Sequence, residues 1–273
     1  MDATLEIRTP PQVPVVARAG RASRPLPPGV ERPQGCASCK LRELCLPCGM
    51  RSAPRALLDS VVYTRKRVKR GETLYHVGSE FESIYAIRSG VFKSRVVLED
   101  GRDQVTGFPM AGELLGMDGI ATGTHAADAI ALEDSDLCVI PYTRVEDAGL
   151  QRQLDKAMSR ELVHDHSMML LLGNMRGEER VAAFLLELSQ RLLRRGYSPR
   201  EFNLRMTRDD IGSYLGLSLE TVSRLFSRFH EAGMIEVCQK HVRIVDTPAL
   251  ESLMAGRPAS VAHARGVQQP DRY

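Results

Sequence analysis

The spacing of apolar residues changes twice along the chain. From Val61 to Pro141, apolar and polar residues alternate over short runs that are separated by turn residues. A period of two predicts strands, so this stretch of about eighty residues is predicted to be an antiparallel β domain. The pair Asp100-Gly101 stands between two such runs and predicts a hairpin turn.

After Pro141 the apolar spacing becomes helical. A long helix is predicted to run to about Asn174, and its seam positions recur every three or four residues: Leu154, Met158, Leu162, Asp165, Met169 and Leu172. This spacing is typical of a coiled coil between two copies of a chain. A helix that packs on its own domain is the alternative, but the sustained spacing favours a dimer. A second amphipathic helix is predicted from Glu178 to Arg195.

The next segment predicts a helix-turn-helix. Thr207 and Asp210 form a capping box before a short helix that ends at Gly216, and Ser218 then caps a second helix. Runs 234–237 and 242–245 predict a hairpin, so the whole segment is predicted to be a winged helix. Its second helix offers Glu220, Thr221, Ser223 and Arg224 on one exposed face.

These residue types suit a DNA groove. Arginine can donate two hydrogen bonds to guanine and glutamate can accept one from cytosine, although Glu220 and Arg224 are also spaced as a surface ion pair. Phosphate contacts are predicted for the polar residues near the two helix starts and the wing, which are Thr207, Arg208, Ser218, Arg228, Lys240 and Arg243.

Composition restricts the number of domains, the overall charge and the expected location of the protein. The 273 residues are 43% hydrophobic, which is more typical of two domains than of one, and 37 Lys+Arg against 34 Asp+Glu leave no general basic character. Apolar runs are too short for a membrane helix, and the Pro- and Arg-rich start has no apolar signal core, so we expect a cytoplasmic protein. Residues 1–34 and 251–273 are predicted to be disordered tails.

Cysteines provide the candidate chemistry. Cys36, Cys39, Cys45 and Cys48 lie within thirteen residues, and Cys138 follows in an apolar run. In a reducing compartment such clusters are metal ligands or redox groups more often than disulfides. The first four have the order C-x2-C-x5-C-x2-C and could hold zinc, although zinc patterns usually place about 15–20 residues between the pairs. A set that includes Cys138, or redox thiols without a metal, are the alternatives. Cys238 is predicted to be a small core residue of the wing.

The run from Met206 to Arg224 resembles the signature of the CRP/FNR transcription regulators, and the FNR branch most of all. The segments Tyr85-Ala86-Ile87-Arg88-Ser89-Gly90 and Ile140-Pro141 support the same resemblance. It implies an α+β chain with an antiparallel, jelly-roll-like β-roll as sensor domain, a long dimerisation helix and a C-terminal winged helix-turn-helix. The corresponding boundaries are a cysteine-rich segment at 35–50, the sensor at 51–143, the helix at 144–174 and the DNA-binding domain at 175–250.

The resemblance also implies a cofactor. In this family a C-x2-C-x5-C group and one distant cysteine hold a [4Fe–4S] cluster, and the matching positions here are Cys36, Cys39, Cys45 and Cys138. Cys48 and Lys40 depart from the pattern, since a lysine beside Cys39 places a positive charge near an anionic cluster. We expect the apolar residues of this segment to cover the cluster: Leu41, Leu44 and Leu46.

The implied function is oxygen-responsive transcription regulation. A homodimer would recognise TTGAT-like inverted repeats in double-stranded DNA through Glu220, Ser223 and Arg224 and would touch RNA polymerase. A regulator of redox state or nitric oxide is the rival in the same class. An enzyme is not expected, because no Ser/His/Asp group, paired catalytic carboxylates or phosphate-binding loop stands out. Cyclic nucleotide binding is not expected either, because residues 116–132 contain no Arg or Lys for its phosphate.

Asp165 is the one charged residue in the predicted dimer seam. Two such carboxylates about 6 Å apart would repel by roughly 2.8 kcal/mol at an effective dielectric near 20. The family has an acidic residue at the matching position for this purpose. We therefore expect a dimer switch formed by Asp165 with Met158, Leu162 and Met169, and the alternative is a carboxylate that is simply exposed.

Overall fold

The computed structural model describes residues 36, 39–46, 64–97, 103–147 and 150–254. The predicted N-terminal tail, Cys48 and the Asp100-Gly101 turn lie outside these residues.

Two four-stranded antiparallel sheets form the first domain, in the orders β1-β8-β3-β6 and β2-β7-β4-β5. The predicted jelly-roll-like fold is confirmed. The two strands that flank the predicted Asp100-Gly101 turn are paired antiparallel, with Val97 opposite Asp103. The strands are β1 (Thr64–Val68), β2 (Thr73–Tyr75), β3 (Ser83–Ser89), β4 (Phe92–Val97), β5 (Asp103–Gly107), β6 (Leu114–Leu115), β7 (Asp128–Ala131) and β8 (Ser135–Pro141).

Strands β3 and β8 contribute to two cores because both faces of their sheet are covered. Ile87 and Leu137 pack with Phe92 between the two sheets. Ile84 and Ile140 belong to a second buried cluster on the other face. That second cluster also includes Leu46, Val145, Leu150 and Leu154, and we call it the junction cluster.

The helices that follow differ in one respect from the prediction. A short helix, α1 (Tyr142–Asp147), precedes the long helix α2 (Gln151–Asn174), so the predicted start at residue 144 is wrong and the end at Asn174 is confirmed. The reason is burial: Val145 and Leu150 are fully buried in the junction cluster, which folds α1 onto the sheet before α2 begins. None of the described helices is long and apolar enough to cross a membrane.

The second domain is a winged helix, as predicted. Helices α3 (Gly177–Leu193), α4 (Arg208–Leu215) and α5 (Leu219–Glu231) pack together, and β9 (Glu201–Asn203), β10 (Ile235–Cys238) and β11 (His241–Ile244) form a sheet in the order β10-β11-β9. Residues 251–254 are not a disordered tail, because they belong to helix α6 (Thr247–Met254), which buries Leu250 against this core.

The two domains are packed against each other. Val105, Phe108 and Met110 from the β domain belong to the same buried cluster as the winged-helix core. Lys93 on β4 reaches across to Asp210 at the start of α4, with 2.5 Å between Nζ and Oδ1. The orientation of the helix-turn-helix is therefore tied directly to the β domain.

Removing the Lys93 amine tests whether the Lys93–Asp210 ion pair holds the two domains together. Burial alone would favour the neutral form of Asp210, but its bonds to Lys93 and Thr207 outweigh burial and lower the pKa of the carboxyl. Lys93→Ala should lower the free energy of unfolding by about 2–3 kcal/mol in urea titrations, since it leaves a buried carboxylate without its cation. A lowered carboxyl pKa stabilises the fold above about pH 4 and the effect is lost at lower pH, so the variant should approach wild type on acidification.

Arg67→Ala is the matched control for Lys93→Ala. Arg67 pairs with Asp136 at 3.2 Å, but its side chain is 90% exposed, so its loss should change stability by less than about 0.5 kcal/mol. Equal effects of the two substitutions at neutral pH would show that the Lys93–Asp210 pair does not join the domains.

Candidate functional site

The helix-turn-helix begins with the capping box that the sequence predicts. Thr207 Oγ1 accepts from the backbone N–H of Asp210 at 3.0 Å, and Asp210 Oδ2 accepts from the N–H of Thr207 at 2.8 Å. The turn requires glycine twice: Gly216 has a φ of 63°, and a Cβ on Gly212 would lie 2.6 Å from the carbonyl oxygen of Leu217. These contacts set the angle between α4 and α5.

The second helix presents the predicted polar face to solvent. Ser218 caps it by accepting from the N–H of Thr221 at 3.2 Å, and the opposite face is buried through Val222, Leu225, Phe226 and Phe229. Glu220 and Arg224 are exposed and Ser223 is half-buried. The Arg224 guanidinium donates to Thr221 Oγ1 at 3.3 Å. The outward face of α5 is thus free of contacts with the protein core.

The predicted phosphate contacts other than Arg208 are either exposed or held in ion pairs. Thr207, Ser218 and Lys240 are exposed at the two helix starts and at the wing tip. Arg228 is paired with Glu178, and Arg243 with Glu236 at 2.7 Å, so an anion would have to compete for either guanidinium.

Arg208 differs from the other predicted phosphate contacts. Its guanidinium carbon lies 3.4 Å from the centre of the Phe226 ring, and desolvation lowers its pKa to about 10. This position favours packing between α4 and α5 over contact with DNA.

Arg180 is a structural residue that the sequence did not reveal. Its guanidinium donates to the carbonyls of Leu172 at 2.7 Å and Met175 at 2.9 Å, where α2 ends, and to that of Leu215 at 2.9 Å, where α4 ends. One side chain therefore joins the long helix to the helix-turn-helix. An arginine at the start of a helix is ordinary in sequence, and only the fold brings three carbonyls to it.

The seam of α2 is divided between buried ends and an exposed middle. Leu154 is buried within its own chain, and Leu172 at the other end is half-buried against the core of the winged helix. Between them, Met158 is 42% exposed, Leu162 55% and Met169 68%, and Asp165 is exposed beside them. The ends thus fit the predicted alternative of packing on the same chain. The middle is an unpartnered apolar strip that carries one carboxylate.

A polar contact beside this strip links α2 to the DNA-binding domain. His164 Nε2 lies 3.2 Å from the hydroxyl of Tyr214 on α4, and its Nδ1 lies 3.6 Å from Glu187 on α3. Burial raises the pKa of the Tyr214 phenol, which keeps it protonated. Nothing in the spacing of the sequence points to this contact, because its three residues come from separate helices.

The cysteine segment is folded against the β domain, as the split ligand set requires. Cys45 and Cys138 both pack on the junction cluster, Cys138 from strand β8. Burial raises the pKa of the Cys45 thiol, and thiolates at Cys36, Cys138 and Cys39 would raise it further by repulsion. The fold thus brings the four predicted ligands into one neighbourhood, although they come from sequence positions about ninety residues apart.

These thiols do not form a single-ion site. Within the described part of the chain, no group of three His, Cys, Asp or Glu side chains could hold one metal ion. Cys48, the fourth member of the local zinc set, lies outside that part.

The leucines predicted as a cover take three different positions. Leu46 is buried in the junction cluster at 2% exposure. Leu44 lies against Gly112, where an added Cβ would be 2.9 Å from the Leu44 Cβ. Leu41 is half-buried and lines a cleft between the two domains.

Two arginines near Cys138 were not identified from the sequence. Burial raises the pKa of the Cys138 thiol and Cys39 adds to the rise, whereas the positive charges of Arg65 and Arg88 oppose it. Arg65 is paired in register with Cys138 on neighbouring strands. The Cys138 sulfur therefore lies near two cations that would stabilise an anionic group, and near the carboxylate of Asp136, which would oppose it.

Cys238 is not the core residue that the sequence predicts. It ends β10 at the wing tip and is exposed, because the inward positions of this strand pair are taken by Ile235 and Val242.

Comparison with known proteins places this architecture in a family. A model of the Crp-like helix-turn-helix domain matches residues 179–253, and a model of the cyclic nucleotide-binding domain matches residues 65–151. The chain belongs to the CRP/FNR family of transcription regulators, and its winged helix is a DNA-binding domain. The nucleotide-binding name describes that domain family, so the prediction against a bound nucleotide stays a prediction.

Particular relatives are similar over most of their length. The fumarate and nitrate reduction regulatory protein of Escherichia coli K12 is 44% identical, over 83% of this chain and 92% of that protein. The transcriptional regulatory protein btr of Bordetella pertussis is 45% identical, over 80% and 93%. The structure of FixK2 from Bradyrhizobium japonicum has a TM-score of 0.65 at 32% identity and covers 70% of this chain and 96% of that one.

Proposed function

We propose that this chain is an oxygen-responsive transcription regulator that binds DNA as a homodimer when Cys36, Cys39, Cys45 and Cys138 hold a [4Fe–4S] cluster. The observation that carries the proposal is the shared position of Cys45 and Cys138 on the junction cluster, with Cys36 and Cys39 within electrostatic reach. The similarity to proteins named fumarate and nitrate reduction regulators supports the same role. The role is regulatory rather than catalytic.

The donor set fits a four-iron cluster better than one zinc ion. A cluster is several ångströms wide, so its thiolates are more widely separated than those around a single tetrahedral ion. The described thiols share one neighbourhood without converging on one point. Arg65 and Arg88 supply positive charge near Cys138, which offsets the negative charge of four thiolates. When bound, such a cluster would supply reactivity toward oxygen.

Packing offers a route from the cysteines to the dimer strip. Leu46 follows Cys45 directly and is buried beside Leu150 and Leu154, at the start of α2. A change in how the cysteine segment packs would therefore move or loosen the first turn of the helix. Because α2 is one continuous helix to Asn174, a shift of its first turn would also shift Met158, Leu162 and Asp165.

The exposed middle of α2 is proposed as the dimer contact. Burying Met158, Leu162 and Met169 against a second copy removes apolar surface from water, while Asp165 would approach its twin and oppose pairing. The repulsion and the entropy cost of association both oppose the apolar gain, so a small change in the position of α2 can shift the balance between monomer and dimer.

On DNA, the exposed face of α5 is proposed to enter the major groove. Glu220, Ser223 and Arg224 would contact bases of a TTGAT-like half-site, and the exposed Lys240 at the wing tip would contact phosphate. The bound dimer would touch RNA polymerase. A response to redox state or nitric oxide through the same thiols is the second candidate, supported by the same neighbourhood of sulfurs.

Replacing one ligand tests the cofactor. Protein purified without oxygen should show a broad visible absorption that bleaches in air, and Cys138→Ser should abolish that absorption and the promoter response to anoxia in cells. Cys238→Ser is the control: this exposed thiol lies on the wing, and its loss should leave the spectrum unchanged. A colourless wild-type protein with one zinc per chain would refute the cluster, and a visible band that bleaches only with nitric oxide would favour the second candidate.

Two substitutions separate base contacts from phosphate contacts. Arg224→Ala should weaken binding to a palindromic TTGAT site by about 1–3 kcal/mol and relax the preference at one base pair. Lys240→Ala should weaken binding to all sequences equally and reduce the slope of log K against log salt by about 1 per subunit. Fluorescence anisotropy with wild-type and single-base-changed duplexes measures both, and an Arg224→Ala variant with unchanged base preference would contradict the proposed contact.

Removing the seam carboxylate tests the switch. Asp165→Ala should give a dimer in air that binds DNA without the cluster, because roughly 2.8 kcal/mol of repulsion at an effective dielectric near 20 is lost. Asp155→Ala is the control, since Asp155 is an exposed carboxylate on the same helix and does not occupy a seam position. Analytical ultracentrifugation gives the dimer fraction. A monomeric Asp165→Ala protein in air would mean that repulsion does not set the equilibrium.

A further inference from the structure

We propose that the cleft between the two domains is a binding site for a small organic anion with an apolar body. The cleft has a volume of about 620 Å³, within the range of about 300–1,000 Å³ that small-molecule sites occupy. Its walls come from the cysteine segment, the β3–β4 turn, α3 and strand β9. It is distinct from residues 116–132, where a cyclic nucleotide would need its phosphate partner.

The polar lining has an excess of positive charge. Four of its charged groups are already paired. Arg205 and Glu133, which both line the cleft, pair with each other at 2.9 Å, and Arg195 pairs with Glu113 at 2.5 Å. Glu201, which also lines the cleft, pairs with His241 at 2.9 Å.

Two cations remain. In the part of the chain that the structure describes, Lys40 and Arg88 line the cleft without a hydrogen-bond or ion-pair partner, and Arg88 is half-buried. A half-buried guanidinium that lacks a partner carries a desolvation cost that an anion would offset. Because arginine presents a planar fork of donors, a carboxylate or phosphate is the group that it binds best.

The remainder of the lining selects the body of the ligand. Leu41, Val91 and Leu192 face the cleft, together with Phe202 and Met206 from the DNA-binding domain. An inorganic anion would leave this surface uncovered, whereas a hydrocarbon or aromatic body would bury it. The ligand class is therefore a carboxylate or phosphate monoester attached to an apolar group of modest size.

Occupancy would affect both domains. The cationic wall belongs to the cysteine segment and the β domain, and much of the apolar wall belongs to α3 and β9, so a bound molecule bridges them. Such a ligand stabilises the packed arrangement by mass action. The anion would be held by Lys40, Arg88 and the apolar wall, so the site does not require iron at the cysteines. Cys39 lines the same cleft, so an anionic cluster there would weaken the binding of a second anion without removing the site.

Octanoate and octyl phosphate are suitable probes. Acetate, which has the carboxylate without the chain, and 1-octanol, which has the chain without the charge, are the comparison ligands. Isothermal titration calorimetry on the full chain, prepared with and without iron, should show saturable binding of at least one eight-carbon anion and much weaker binding of acetate and of octanol. The thermal midpoint should rise with the same anion. Binding by only one of the two anions identifies the headgroup and supports the site.

Arg88→Gln should weaken that binding by about tenfold, the usual size of a charged hydrogen bond, and Lys40→Gln should weaken it independently. Lys40 is exposed in the cysteine segment, so its substitution tests the site even if Arg88→Gln fails to fold. Arg67→Gln, on the exposed face of β1 and outside the cleft, should have no effect. Absence of binding by both anions, or binding that neither Arg88→Gln nor Lys40→Gln reduces, would overturn the proposal. Because the iron-free sample is measured too, this result is separate from failure of the cluster proposal.

Discussion

Burial of the junction cluster is the physical constraint on which the other parts of the structure depend. Leu46 from the cysteine segment, Ile84 and Ile140 from the sheet, and Leu150 and Leu154 from the helices exclude water together. Each segment alone would leave its apolar side chains exposed, so the three are stable only in contact. A group held by Cys45 and Cys138 would rest directly on this cluster, which is why local chemistry at sulfur can alter the start of a helix 24 residues long.

A second constraint is the packed contact between the two domains. The apolar contact of Phe108 with Tyr214, 5.1 Å between ring centres, is accompanied by the buried pair of Lys93 and Asp210. Asp210 also caps α4, so one carboxylate serves both the local helix start and the domain contact. Arg180 adds the third tie, between the end of α2 and the end of α4. Contacts with the β domain and with α2 therefore set the position of the DNA-binding face in this structure.

The family membership explains the shared architecture, and departures within it point to properties of this chain. Lys40 follows Cys39, and Cys48 extends the cysteine group. Lys40 is exposed, so it does not alter the fold. It changes the charge near the proposed cluster, where differences of about 1–3 kcal/mol are enough to shift a two-state equilibrium.

Local rules in the sequence determined the elements of this protein. Alternation of apolar and polar residues predicted the strands, and the Thr207–Asp210 capping box with Gly216 predicted the helix-turn-helix. The capping box and the left-handed Gly216 are both present, because these hydrogen bonds and glycine conformations depend on residues that are close in sequence. The exposed face of α5 followed from helical periodicity in the same way. The cysteine set came from resemblance and spacing together, and the sequence alone left zinc as an alternative.

Tertiary structure decided what depends on distant residues meeting. It placed Cys138 beside the cysteine segment, divided the α2 seam into buried ends and an exposed middle, and turned Arg208 inward over Phe226. It also extended the fold to Met254 and exposed Cys238, both against expectation. Burial and electrostatic contact are properties of space rather than of sequence distance, so no spacing rule could have supplied them.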